Sequence, residues 1–200
     1  MPHLKTVIIL FAICLSTFIS VSALAKEKEV EGYYIRRAST KKVRTTFYFT
    51  GKKPSVIDMQ KGVDFMDDRG KKRLLLPTEA DEFGFIYKGD TILMRSVYDN
   101  LHAQTDLFLQ VLADGVVSCY TYYSYSYSAT GLNSPPVVAS AAASSILQHS
   151  NGELVTIRST FFRKDMSDFF ADCPALVEKI NKGPRKTITE YAKEYNRTCR

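Results

Sequence analysis

The sequence predicts an α+β protein: an antiparallel β-meander, forming an open sheet or a partial barrel, that ends in a C-terminal helical hairpin. Three observations predict it. From Val30 to Ser128, short runs of β-branched and aromatic residues are separated by turn-forming Gly, Asp and Lys. From Phe162 onward the apolar residues change from a period of two to the spacing of a helix. Beyond the first 25 residues there is no second long apolar stretch.

The N-terminus reads as a secretory signal peptide over residues 1–25. Lys5 precedes an apolar run from Val7 to Ala25, broken only by serines and a threonine. The run ends in Ala23-Leu24-Ala25 just before "KEKE", which places small residues three and one before a cut after Ala25. The competing reading is a retained membrane anchor, since the run is just long enough to span. Cleavage removes one lysine and no acid, which leaves 175 residues with 26 basic and 21 acidic side chains and a net charge of +5. That length suits one domain over residues 26–200.

Residues 26–128 form the β-rich body. "VEGYYIRR" and "VRTTFYFT" are strand-like. "GVDFMD" meets "KKRLLLP" through Asp68-Arg69-Gly70, and "FGFIYKGDTILMRSV" turns at Lys88-Gly89-Asp90. Asp114-Gly115 divides "LFLQVLADGVVSCYTYY" into two apolar runs and predicts a type I′ hairpin turn, which needs positive φ at both central residues.

The stretch "CYTYYSYSYS" places five tyrosines in ten residues. Tyr120 and Tyr122 share one parity, and Tyr123, Tyr125 and Tyr127 share the other, so Tyr122-Tyr123 changes face unless a bulge intervenes. The tyrosines either cover sheet and core with their hydroxyls in water, or offer a stacking platform to a ligand. Tyr123, Tyr125 and Tyr127 are the candidate ligand contacts. Residues 129–150, small and almost uncharged, read as a flexible Ala/Ser/Pro insertion with an Ala-rich helical turn at 139–147.

Residues 151–200 read as a final strand, "GELVTI", and three short helices. Phe162, Met166, Phe169 and Phe170 recur at helical spacing, as do Cys173, Leu176, Val177 and Ile180. Pro174 suits a first helical position, Gly183-Pro184 is a stop, and Thr187 with Glu190 makes a capping box. The last two helices form a hairpin with Cys173 at its start and Cys199 at its end. Arms of roughly 15 Å return the two sulfurs to one level. A Cys173–Cys199 disulfide follows, closing a loop worth roughly 3–4 kcal/mol. Cys119 is then the leftover thiol, buried on its strand.

"FFADCPALVEKI" and "ITEYAKEYNRTC", with "KKRLLLPTEADEFGF" in the body, resemble segments of secreted proteins of Bacteroidetes bacteria. The resemblance covers the last forty residues best and implies an exported protein with a β-rich body and a helical end. No activity, cofactor or catalytic residue comes with it. The sequon Asn196-Arg197-Thr198 is a glycan acceptor only in a eukaryotic secretory pathway.

Enzyme chemistry has little to stand on. His102 lies near Asp99 and Asp106, but no nucleophile elbow accompanies it. Cys173 before a helix could act as an activated thiol, in competition with its disulfide. Acids gather at Asp64, Asp67 and Asp68 and at Glu79, Asp81 and Glu82, both beside turns. Phosphate-loop and dinucleotide patterns are absent, so no cofactor is expected. Without a Cys-x-x-Cys pair, and with only His102 and His149 after cleavage, neither is a metal. Basic residues cluster at Arg36, Arg37, Lys41, Lys42 and Arg44, and again at Lys71, Lys72 and Arg73. They read either as charges that guard sheet edges or as contacts for an anionic partner, with peripheral membrane contact included. Export disfavours nucleic acid. The expectation is an exported, non-catalytic envelope protein, a binding or structural-support module in the periplasm, at the outer membrane or secreted. The alternative is an envelope-polymer hydrolase using carboxylates.

Overall fold

Among the described residues, alternating apolar and polar positions give ten antiparallel strands in one sheet, of order β10-β9-β8-β7-β6-β5-β1-β2-β3-β4. The computed structural model describes residues 27–51, 53–128 and 137–199, with the backbone alone at 125–128 and 137–141. The segment read as a signal peptide lies outside them. The strands are β1 (Lys28–Arg36), β2 (Lys42–Phe49), β3 (Val63–Met66), β4 (Lys72–Leu75), β5 (Ala80–Tyr87), β6 (Asp90–Asp99), β7 (Thr105–Ala113), β8 (Ser118–Ser128), β9 (Val137–Gln148) and β10 (Leu154–Thr156). Helix α1 (Val56–Met59) joins β2 to β3. After β10 come a 3₁₀ turn (Ser159–Phe161) and helices α2 (Phe162–Phe169), α3 (Pro174–Lys182) and α4 (Ile188–Thr198). This is the expected α+β arrangement. Among the described residues no helix is long and apolar enough to cross a membrane.

One connection departs from a simple meander, because β5 pairs with β1 rather than with β4. In a flat sheet β4 and β5 would stand four strand spacings apart, about 19 Å. The chain covers that separation through one closed turn, in which Glu79 N–H donates to Leu76 O at 3.0 Å. A closed turn spans under about 7 Å, and its two flanking steps add about 3.8 Å each. The sheet therefore curls into a partial barrel. Tyr34, Phe47, Phe65, Leu75, Phe83, Phe85 and Met94 fill its interior. The interior leaves no room for a side chain at Gly32, where a Cβ would collide with Gly84 O and lie 2.8 Å from Phe47 Cε2.

The helical tail packs on β7, β8 and β9. Phe162, Met166, Phe170, Leu176, Ile180, Tyr191 and Tyr195 join Val117, Cys119 and Leu147 in one buried cluster. Cys119 keeps its thiol, pushed up in pKa by burial. The expected capping box is present: Glu190 N–H donates to Thr187 Oγ1 at 3.2 Å, and Thr187 N–H to Glu190 Oε2 at 2.8 Å. Cys173 and Cys199 are disulfide-bonded with their Cα atoms 5.8 Å apart. That bond is consistent with an exported protein.

The segment read as a flexible insertion with a helical turn is corrected in part, since it holds β9. Eleven residues of β8 find partners on β9, including Tyr123 opposite Ala143 and Ser124 opposite Ala142. Small side chains set across from tyrosines fit the pleat, and pairing overrides the helix propensity of alanine. The register runs unbroken through Tyr122 and Tyr123, so these two positions occupy opposite faces; the irregularity lies further on, at Ser126/Tyr127. Type I′ geometry is also displaced. Positive φ at both central residues occurs at Lys88 (55°) and Gly89 (91°), whereas in Asp114-Gly115 only Gly115 has it. The register shift between Val111 and Ala113 widens that turn into a four-residue connection.

Candidate ligand cleft at the mouth of the curled sheet

At one end of the curl the inward-facing residues open onto solvent and line a cavity of about 560 Å³. Alternation along β1 turns Tyr34 and then Arg36 inward, and β3 and β4 contribute Phe65, Arg73 and Leu75. Tyr34, Phe65 and Leu75 are buried and make an apolar floor, with Tyr34 edge-on to Phe65 at 5.3 Å. Arg36, Asp67, Asp68, Arg69, Lys71, Arg73 and Glu79 make the rim.

The rim is held by its own backbone. Asp67 Oδ1 accepts from Arg69 N and Lys71 N, both at 2.9 Å, which shapes the β3–β4 turn. The Lys71 N–H bond is the chief cause holding the Asp67 carboxyl below the usual range. Arg36 donates to Tyr34 Oη through Nε (3.3 Å) and Nη2 (3.2 Å), and to Asp68 Oδ2 at 2.6 Å. Glu79 Oε2 accepts from Leu76 N at 3.1 Å, and its Oε1 lies 3.6 Å from Arg73 Nη2. Each rim carboxylate is thus engaged by a cation or a backbone N–H. Arg69 and Lys71 form no close ion pair among the described residues, although Arg69 helps to lower the Asp67 carboxyl electrostatically, and the rim's four cations outnumber its three carboxylates by one.

The five predicted basic residues do not gather. Arg36 enters the cleft. Arg37 turns to Pro77 O (3.1 Å) and Asp106 (3.0 Å), tying β1 to the β4–β5 turn and β7. Lys41 is exposed in the β1–β2 turn. Lys42 and Arg44 have the opposite parity and share the outer face with Tyr33, whose ring centre is 4.1 Å from Lys42 Nζ. Tyr33 Oη donates to Glu82 at 2.8 Å, and burial, with that bond, raises its pKa to about 12.

The two acidic groups are dispersed as well. Asp64 faces outward beside Lys72 at 3.3 Å, Asp81 accepts from Ala38 N at 3.1 Å, and Glu82 meets Arg95 at 3.2 Å. Only Asp67, Asp68 and Glu79 reach the cleft. Asp99 is buried and accepts from the N–H groups of Leu101, His102 and Ala103 at 2.9–3.0 Å, while the His102 ring rests on Tyr122 at 4.8 Å. That aspartate organises a loop. Tyr123 does not line the cleft, and the side chains of Tyr125 and Tyr127 lie outside the described residues.

Tyr34, Phe65, Leu75 and Arg69 were not singled out by sequence reasoning as site residues. The available signal was parity: β1 and β3 flank β2, so their inward positions converge once the sheet curls. Comparison with family models, with curated proteins and with solved structures returns no match.

Proposed function

We propose that the chain is an exported, non-catalytic binding module of the cell envelope, and that the cleft at the mouth of the curl takes an anionic ligand of saccharide size. The observation that carries this is the pairing of a buried apolar floor with a rim whose cations outnumber its carboxylates and on which Arg69 and Lys71 make no close ion pair. A cavity of about 560 Å³ suits one or two sugar rings. A sugar would sit above the floor of Tyr34, Phe65 and Leu75, and an acidic group would meet Arg69 and Lys71 on the rim. The engaged carboxylates favour binding over hydrolysis, since a glycosidase keeps one carboxyl protonated as an acid. Export is supported by the signal-like N-terminus, the disulfide and the resemblance to Bacteroidetes secreted proteins.

The chain has no tryptophan, so tyrosine emission is unmasked. Titration with an acidic oligosaccharide should give a saturable change that its neutral counterpart does not. Lys71→Gln with Arg69→Gln should weaken binding about 10-fold or more, the loss expected for removed charge-assisted contacts. Equal binding of the neutral sugar, or full affinity in the double variant, would reject the proposal.

A further inference from the structure

Three carboxylates reach the rim of the cleft, and two of them serve the backbone that builds it. Asp67 Oδ1 accepts from Arg69 N and Lys71 N, and Glu79 Oε2 accepts from Leu76 N. Asp68 has no such duty. Among the described residues its one hydrogen-bonding partner is Arg36, whose Nη2 donates to its Oδ2 at 2.6 Å. The β3–β4 turn that carries Asp68 closes without it, through Asp67 N–H to Lys71 O and Gly70 N–H to Asp67 O, both at 2.9 Å.

Arg36 is seated independently of Asp68. Its Nε and Nη2 donate to Oη of Tyr34, which is buried in the floor of the cleft. The guanidinium therefore keeps its place when Asp68 lets go. The side chains of Arg36 and Asp68 are 56% and 65% exposed. An ion pair so open to water is weakly held and screened by salt, so it exchanges readily for another of the same kind. A carboxylate that rests on a cavity-lining guanidinium, with no other bond to make, holds the position where an acidic ligand would bind.

We propose that Asp68 is a built-in competitor for the ligand. In the free protein it occupies Arg36; a sugar carboxylate entering the cleft displaces it and takes the same guanidinium, with Arg69 and Lys71 on the same rim. This rests on the reading of the cleft as an anionic-saccharide site, and it narrows the ligand class to uronic acids, whose carboxylate replaces that of Asp68 like for like. The exchange also selects. A neutral sugar has no group that can displace Asp68, whereas an acid gains the Arg36 seat by breaking one exposed pair.

Tyrosine emission during titration with digalacturonate tests this. Asp68→Asn should keep the far-UV spectrum of the native chain and bind the acid about 3-fold tighter, the gain expected when one exposed ion pair no longer has to be broken. In an Arg36→Gln background the same substitution should gain less than about 2-fold, because there is no seat left to free. In the native chain the Arg36 side-chain NMR signal should move on saturation with digalacturonate. Binding by neither the native chain nor Asp68→Asn rejects the reading of the cleft and the inference with it. Native binding that Asp68→Asn leaves unchanged or weakens keeps that reading and overturns the inference. An equal gain in the Arg36→Gln background, or an Arg36 signal that stays still, overturns it as well, since the effect would then be one of general charge.

Discussion

The side-chain amide of Gln60 hydrogen-bonds both backbone groups of Tyr123: Oε1 accepts from Tyr123 N at 2.6 Å, and Nε2 donates to Tyr123 O at 2.9 Å. Its own carbonyl accepts from Phe108 N at 2.9 Å. β7 and β8 splay apart beyond Gln110, and this one buried residue, carried in from the β2–β3 connection, fills the gap as a strand would. It fastens the first half of the sheet to the second.

Gln60→Ala should cost about 2–3 kcal/mol, because it removes two bonds and strands the Tyr123 amide and carbonyl. Urea midpoints give the loss. Hydrogen exchange locates it, with the Tyr123 amide losing protection while distant β2 amides keep theirs.

Asn196 plays a matching part from the far end of the chain. Its Oδ1 accepts from Val117 N at 2.8 Å, and its Nδ2 donates to Val117 O at 2.7 Å and Asp114 O at 3.2 Å. Asn196→Ala should destabilise by about 1–3 kcal/mol in the same assay. A glycan on this sequon would break these bonds, so expression in a eukaryotic secretory host should leave Asn196 of folded protein unglycosylated by mass.

Acid stability should depend on Asp165. Arg158 holds it through Nε (2.9 Å), Nη2 (2.7 Å) and backbone N (3.0 Å), and the side-chain bonds are the main cause lowering its pKa to about 2. Glu194 is lowered the same way, by Lys179 and then Lys186. A folded pKa below the unfolded value of about 3.9 means that the stabilisation is complete above that value. It is lost as pH falls from there toward about 2. Urea midpoints measured across this window should fall steeply for the native chain and more gently for Asp165→Asn.

Reducing the Cys173–Cys199 bond, whose partners are 26 residues apart, should cost about 3.5 kcal/mol by the loop-entropy relation. A thiol titration of the native protein should find Cys119 unreactive until urea exposes it.

Legibility in the sequence followed the range of the signals. The capping box at Thr187, the start at Pro174 and the sulfur pairing were readable because each is set by residues a few positions apart or by one helix length. β9 was not, because alanine and serine carry no strand signal alone; only β8 as a partner makes them one. The return of β5 to β1 was equally silent, since Leu76–Glu79 looks like any turn until the strand it must reach is known. Arg36 was picked out for its charge, but its companions Arg69 and Tyr34 needed the curl to meet it.

Asn196 lies 79 residues beyond the Val117 it holds. A polypeptide made from its N-terminus therefore exposes the β7–β8 turn long before the side chain that secures it exists. Completion of that turn is deferred to the final helix, so a chain halted in synthesis short of Asn196 lacks the three hydrogen bonds that close it.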